Sequence, residues 1–224
     1  MLKLSSALRI GCLLVALMFV LFALGVEIAI ALGVVGVVGL LYLKGWTVGL
    51  GVVGSKALGL LSEAGANVVV TDIDPAKVQW AKDTYGVESV EPGAIYACDV
   101  DIFAPYALGG IINDDTLAQF TVKVVAGAAN NILLEERHGD ELERRGIVYA
   151  VDYVANSGGT IYDTDRLRKG GFQPERALAK VREIYGRTHE VFAIAERDGI
   201  PGYQAADRLA EARIAALTAV KLLG

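Results

Sequence analysis

The predicted fold depends on the stretch Gly49-Leu50-Gly51-Val52-Val53-Gly54, which fits the pattern G-x-G-x-x-G. A helix-like segment follows it at residues 55–63, and the β-branched run of residues 66–72 then ends in the acidic residue Asp72. In a nucleotide-binding βαβ unit, the three glycines permit a tight turn, close approach of the backbone to a pyrophosphate, and close packing of helix on strand. The start of the helix offers unpaired N–H groups to the phosphates. The sequence therefore predicts a dinucleotide site that includes Gly49, Gly51, Val52, Val53 and Gly54.

The spacing of the acidic residue supports the same interpretation. Asp72 lies 18 residues after Gly54, where a carboxylate accepts hydrogen bonds from the hydroxyls of the adenosine ribose. A 2′-phosphate would be repelled there, so NAD is favoured over NADP as the cofactor. Lys77, five residues after Asp72, is assigned to the same site.

One part of the pattern is incomplete. The first strand should run into Gly49, but only Trp46-Thr47-Val48 separates that glycine from Lys44-Gly45. This segment is about three residues shorter than a usual strand of five or six residues. We expect the shortening to shift or weaken the first strand and the turn that follows it.

Composition limits the remaining classes of function. Net charge is −5, so neither a basic nucleic-acid-binding surface nor charge-driven disorder is expected. Cys12 and Cys98 are the only cysteines, and His138 and His189 the only histidines, so no disulfide scaffold and no zinc site is predicted. Residues 44–224 are predicted to form one α/β domain with a doubly wound parallel sheet and two C-terminal helices, Glu175–Arg197 and Tyr203–Leu222.

The first 43 residues have a different character. From residue 10 to residue 43 the only charged side chain is Glu27, and such a run is long enough to span a membrane. It predicts either one long helix or a short hairpin broken near Glu27. Lys3 and Arg9 favour a cytoplasmic N-terminus, and a hairpin would return the α/β domain to the cytoplasm. The alternatives are an unspecialised apolar anchor, or an artefactual gene start on a cytoplasmic protein.

The run from Met18 to Leu43 also resembles the first hydrophobic segment of the large permease subunit of tripartite ATP-independent periplasmic transporters. That family usually has proline at the position of Glu27. The similarity covers about 26 apolar residues.

A second resemblance extends over most of the chain after Lys44. The segments that carry it are Asp101–Pro105, Ala107–Asn113, Ala126–Asn131, Arg137–Asp140, Gly146–Ala150, Asp152–Gly159 and Ala205–Glu211. In collinear order they resemble the cofactor-binding domain of the glutamate/leucine/phenylalanine/valine dehydrogenases, nearest to the leucine and phenylalanine branch. The resemblance implies oxidative deamination of an L-amino acid with NAD, which yields a 2-oxo acid and ammonia.

The resemblance also implies roles for individual residues. Asp72 would hold the adenosine ribose, Ala107 and Leu108 would line its adenine or ribose side, and Ala129, Asn130 and Asn156 would lie near the nicotinamide. The sequence adds an independent reason for the two asparagines, because each follows an apolar run, as expected at the carboxyl ends of parallel strands where ligands bind. The alternative is that they act only in turns and helix caps.

Departures from the family limit the predicted activity. The family's catalytic lysine and aspartate precede its cofactor domain, and the apolar run occupies that place here. We therefore assign no catalytic residue and expect no turnover by this chain alone, unless a separate substrate-domain chain or a homo-oligomer completes the site. The alternatives are a membrane-anchored nucleotide-binding module without catalysis, and a truncated or chimeric gene product.

Overall fold

The computed structural model describes residues 47–221, which form a mixed α/β fold with parallel strands. The helices are α1 (Thr47–Glu63), α2 (Pro75–Tyr85), α3 (Asp114–Leu117), α4 (Arg137–Arg144), α5 (Asp152–Ala155), α6 (Gly158–Asp165), α7 (Pro174–Asp198) and α8 (Gly202–Lys221). The strands are β1 (Val69–Val70), β2 (Glu88–Ser89), β3 (Ile102–Phe103), β4 (Val124–Val125) and β5 (Val148–Tyr149), and a 3-10 helix covers Pro92–Ala97. The two predicted C-terminal helices are confirmed as α7 and α8.

The predicted membrane segment, residues 10–43, lies outside the described residues. Within residues 47–221, no helix combines the length and the apolar character that crossing a membrane requires. The chain divides into two compact units between Ser55 and Lys56, inside α1. The predicted domain boundary after Leu43 stays a prediction.

The strands belong to two parallel sheets. β1 pairs with β2, with Val69 opposite Glu88, and β3, β4 and β5 form the second sheet in that order. A single sheet was expected from the sequence. In a dinucleotide-binding domain with strand order 3-2-1-4-5-6, the strand that precedes the glycine motif lies between its second and fourth strands. Here β1 and β3 hold the places of the second and fourth strands. The break between the two sheets therefore lies where the first strand was expected.

The glycine motif itself lies in a helix. Gly49–Gly54 belongs to α1, which begins at Thr47, so the predicted strand through Val48 and the predicted tight turn at Gly49 are both wrong for these residues. We attribute the helix to the shortened strand, since the three residues Trp46-Thr47-Val48 are fewer than the five or six of a usual strand. The helix satisfies its backbone groups locally, and the Ser55 hydroxyl also donates to the Gly51 carbonyl at 2.6 Å.

The other elements begin and end at residues with clear local reasons. The Asp74 side chain accepts from the Ala76 amide at the start of α2, where Pro75 is the first helical residue, and Gly86 ends that helix in the left-handed region. Asn113 caps α3 in a reciprocal arrangement with Thr116. Such caps replace the hydrogen bonds that the first and last turns of a helix lack.

The core lies around the three-stranded sheet. Its fully buried members come from β4, from the loops after β3 and β4, and from α4, α7 and α8; they include Ile112, Val125, Ile132, Leu142, Val191 and Ala205. Phe103 and Phe120 pack against each other with ring centroids 5.1 Å apart. This core supports the loops that leave the carboxyl ends of β3, β4 and β5.

Candidate functional site

The two predicted asparagines meet at the carboxyl ends of neighbouring parallel strands. Asn130 follows β4, and Asn156 follows β5 and forms the C-cap of α5. The Asn156 side-chain amide donates to the Asn130 side-chain oxygen and also to the Ala129 carbonyl at 3.2 Å. Asn130 follows its strand as predicted, whereas Asn156 follows β5 only after α5 and caps that helix, which is the role that the alternative interpretation gave it. The structure joins the two residues through their side chains.

The loop after β3 approaches the loop after β4 very closely. The Ala128 and Ala129 amides both donate to the Pro105 carbonyl, at 2.9 and 3.0 Å. A Cβ atom at Gly127 would lie 2.2 Å from that same oxygen, so a residue with a side chain cannot occupy this position without moving the backbone. Gly127 therefore sets the distance between the two loops.

A second contact joins the same loops further along. The Gly110 amide donates to the Asn131 carbonyl at 2.8 Å, and a Cβ at Gly109 would lie 2.8 Å from that carbonyl oxygen. Asn131 has φ 52°, in the left-handed region that asparagine tolerates better than most residues. An isolated parallel bridge pairs Ile112 with Leu133 just beyond this point. Asn130 is thus held on a loop that is fixed on both sides.

Asp152 also anchors this loop, and the sequence did not reveal that role. Its side chain is 5% exposed, and one carboxylate oxygen accepts from the Ile132 amide at 2.9 Å, across 20 residues of chain. The other oxygen accepts from the Tyr153 amide at 2.7 Å. Its position directly after a buried strand is the only sequence signal, and that signal is shared by many capping residues.

Two tyrosines border this anchor. The Asp152 amide donates to the Tyr149 hydroxyl at 3.3 Å, and burial raises the pKa of Tyr149 well above its usual value. The Tyr153 hydroxyl donates to an Asp207 carboxylate oxygen at 2.8 Å. Burial, and then this hydrogen bond, raise the pKa of Tyr153. Both phenols are therefore neutral hydrogen-bonding groups rather than proton acceptors at ordinary pH.

Asp72 lies two residues beyond the end of β1, as predicted. One of its oxygens accepts from the Asp74 amide at 2.9 Å, which forms a tight turn before α2. Its other oxygen is 3.7 Å from the Lys77 ammonium, and the two side chains are 34% and 29% exposed. A half-exposed carboxylate of this kind retains accepting capacity for hydroxyl groups.

The remaining predicted residues have varied environments. Val52 and Val53 are 67% and 49% exposed on α1, and Leu108 is 57% exposed beside an exposed Ala107. Ala129 is buried, and it contributes its carbonyl to Asn156 rather than its side chain. The structure therefore brings Ala129, Asn130 and Asn156 together. The glycine motif does not have the turn geometry that was predicted.

The two histidines take no part in this arrangement. His138 is 1% exposed, and its Nδ1 atom accepts from the Glu135 amide at 3.0 Å, which is a structural role. His189 is exposed on α7.

The groups present fit a dinucleotide at its ribose and amide ends. Asp72 supplies an accepting carboxylate, and Asn130 and Asn156 supply amide groups that donate and accept. The phosphate end does not fit in the described conformation, because residues 51–54 lie beyond the first turn of α1 and their amides bond within the helix.

Comparison with known proteins identifies the family. A family model for glutamate/leucine/phenylalanine/valine dehydrogenase matches residues 71–217. The chain is 53% identical over 175 residues to a leucine dehydrogenase of Bacillus subtilis (strain 168), covering 77% of this chain and 48% of that protein. It is 47% identical over 173 residues to a phenylalanine dehydrogenase of Bacillus thermotolerans, covering 75% and 45% of the two proteins.

A solved structure gives the same result. The crystal structure of L-tryptophan dehydrogenase from Nostoc punctiforme superposes with a TM-score of 0.72 at 42% identity, covering 75% of this chain and 51% of that one. The chain thus spans about half the length of the relatives that it matches. These comparisons give no support to the resemblance of residues 18–43 to a transporter permease. The extent of the family match shows that the chain belongs to the glutamate/leucine/phenylalanine/valine dehydrogenase family.

Proposed function

We propose that this chain is the NAD-binding part of an amino-acid dehydrogenase. The observation that carries the proposal is the side-chain hydrogen bond between Asn130 and Asn156 at the ends of two neighbouring parallel strands. Ligands of open parallel sheets bind outside the carboxyl ends of the strands, and the family membership gives this position its meaning. The relatives act on leucine, phenylalanine and tryptophan, so we infer an L-amino acid with an apolar side chain as substrate.

In this proposal the overall reaction is oxidative deamination to a 2-oxo acid and ammonia. Bound NAD supplies the acceptor for the hydride that leaves the substrate Cα. The residues of this chain bind and orient; no proton-transferring residue is assigned among them. Turnover then depends on a lysine and a carboxylate held against the substrate by a further domain or chain.

Asp72 determines the choice of cofactor in this proposal. Its carboxylate accepts from the ribose hydroxyls through the oxygen that faces Lys77, while the Asp74 amide fixes the orientation of the group. A 2′-phosphate at that position would place two negative groups together, which favours NAD over NADP.

Asn130 and Asn156 orient the nicotinamide end. Because the Asn156 amide is already directed at the Asn130 oxygen and the Ala129 carbonyl, the Asn130 nitrogen remains a donor and the Asn156 oxygen remains an acceptor. A carboxamide carries one acceptor and two donors, so this pair complements it. Ala107 and Leu108 offer an exposed apolar surface on the adenine side.

Cofactor titration tests the proposal. We expect Asp72→Asn to weaken NAD binding about 10-fold, as measured by calorimetry on the full chain, since a charge-assisted hydrogen bond contributes about 1.5–3 kcal/mol. The same variant should narrow the preference for NAD over NADP. Asp83→Asn is the matched control, because Asp83 is exposed on α2 and, among the residues that the structure describes, accepts only from Gln79. Its NAD affinity should equal that of the unmodified chain. Equal affinities for all three proteins would contradict the role of Asp72.

An absorbance assay separates catalysis from binding alone. The full chain with NAD and leucine, phenylalanine or tryptophan should give a rise at 340 nm only if the substrate-binding half is supplied. Binding of NAD without a rise even when that half is supplied favours the second candidate, a nucleotide-binding module without catalysis. The helical Gly49–Gly54 segment does not distinguish the two candidates, since it leaves the phosphates without their usual N–H donors in both. Failure to bind NAD at all would refute both candidates.

A further inference from the structure

A cleft rich in positive charge lies among α5, α6, α7 and α8. Its charged lining consists of Arg168, Lys180, Glu183, Arg187 and Arg213, and its volume is about 260 Å³, slightly below the usual range for sites that bind drug-sized ligands and so suited to a smaller molecule. We refer to these five side chains and their apolar neighbours as the basic cleft. The charged lining has four cations and one anion, in a chain whose net charge is −5. The cleft is therefore positively charged, although the protein as a whole carries a net negative charge.

The ion pairs inside the basic cleft leave two guanidinium groups available. Glu183 accepts from Lys180 at 2.9 Å and from Arg187 at 3.2 Å, and all three side chains are on α7. Among the described residues, Arg168 and Arg213 form no ion pair closer than 4.0 Å. They approach the cleft from different elements, the turn after α6 and the middle of α8. Two unpaired cations that converge from separate elements leave positive charge that a bound anion would neutralise.

The remaining lining is apolar. Val154, Ile161 and Ile184 line the cleft, and each is half-buried. The Ser157 hydroxyl, which also lines it, donates to the Val154 carbonyl at 2.8 Å, so it offers its lone pairs more readily than its proton. The basic cleft thus combines an apolar wall with a cationic rim.

We propose that the basic cleft binds a small organic phosphate, with the phosphate between Arg168 and Arg213 and an apolar group against Val154, Ile161 and Ile184. Guanidinium groups match phosphate because two parallel N–H groups reach two oxygens of the same group. The cleft is too small for a folded partner and is walled by apolar side chains, which favours a compact ligand over a polyanion.

The proposal does not depend on the proposed NAD function. The two sites have different residues, and each is titrated with its own ligand. If Asp72→Asn lowers NAD affinity and leaves phosphate binding unchanged, the two sites act separately. If NAD competes for the cleft, the cleft belongs to the dinucleotide site and the proposal is wrong.

Phenyl phosphate is a suitable probe, because it carries one phosphate on one apolar ring. We expect calorimetric titration of the full chain in non-ionic detergent to show binding that inorganic phosphate and benzoate reproduce only weakly. The Arg168→Gln and Arg213→Gln variants should each weaken binding about 10-fold, as expected for loss of one charge-assisted contact. Added salt should weaken it as well, because the two arginines are exposed.

Arg182→Gln provides the matched control. Arg182 is an exposed arginine on α7 that does not line the cleft, so this variant should bind phenyl phosphate as the unmodified chain does. Equal binding of inorganic phosphate and phenyl phosphate would refute the apolar part of the proposal. No binding of phenyl phosphate at millimolar concentration, or equal losses in all three variants, would refute the site.

Discussion

The glycine-rich segment Gly49–Gly54 and the loop around Gly127 are both glycine-containing motifs of a dinucleotide-binding domain, but only one has the expected geometry. The first lies in a regular helix. The second follows β4, and its neighbours Ala128 and Ala129 donate to the Pro105 carbonyl. The loop around Gly127 is therefore held by contacts with a distant part of the chain, whereas the hydrogen bonds of Gly49–Gly54 among the described residues lie within α1.

This difference shows what a glycine motif needs. Glycine permits a turn but does not impose one, because it has more accessible backbone conformations than any other residue. A strand on the preceding side, paired in a sheet, restricts those conformations to the functional one. β4 provides that restriction for Gly127 through pairing on both sides, with β3 and with β5.

Gly127→Ala should produce the largest effect. Its new Cβ would lie 2.2 Å from the Pro105 oxygen, so the two loops must separate and lose their hydrogen bonds. We expect the free energy of unfolding to fall by about 3 kcal/mol, the upper range for overpacking, as measured by urea denaturation. Gly93→Ala is the control, since a Cβ there meets no atom within 4 Å. Similar losses in both variants would show that the close approach does not stabilise the loop.

Much of the α/β part could be predicted from its sequence. The apolar runs that end at Asp72, Asn130 and Asp152 identify β1, β4 and β5, because the hydrophobic pattern of a buried parallel strand is local. The two long C-terminal helices were equally visible from their periodicity. The meeting of Asn130 with Asn156 could be expected because carboxyl ends of parallel strands share one edge.

The rest depends on contacts that no local pattern encodes. We attribute the conformation of Gly49–Gly54 to the length of the segment before it, and the motif alone does not encode that length. The link from Asp152 to Ile132 spans 20 residues and requires a pairing register that the sequence does not show. The basic cleft lies among α5, α6, α7 and α8, and its two arginines with no ion pair among the described residues, Arg168 and Arg213, are 45 residues apart in sequence.

Asp152→Ala should produce the second largest effect. It removes the acceptor of the Ile132 amide and leaves that buried donor without a partner, which costs about 1–3 kcal/mol. We expect urea denaturation to show a loss of about 2 kcal/mol, with weaker NAD binding, since the loop that carries Asn130 loses its anchor. Asp163→Ala is the control, because the Asp163 side chain is 75% exposed and lies 3.8 Å from Arg166. A loss below about 0.5 kcal/mol for Asp152→Ala would contradict the anchoring role.

The smallest expected effect comes from a change that would give Gly49–Gly54 a preceding strand, as the Gly127 loop has. Insertion of three β-branched residues between Val48 and Gly49 gives a strand of usual length, with the side chains that buried parallel strands favour. The helix would then begin within the glycine motif, so the amides of its first turn would become free for phosphate oxygens. We expect NAD affinity to rise about 10-fold, which corresponds to about 1.4 kcal/mol, by calorimetry. Insertion of three alanines, which prolong a helix, is the matched control and should leave the affinity unchanged. If both insertions act alike, the length of the strand is not the reason that Gly49–Gly54 is helical, and the difference from the Gly127 loop must lie in the glycine motif itself.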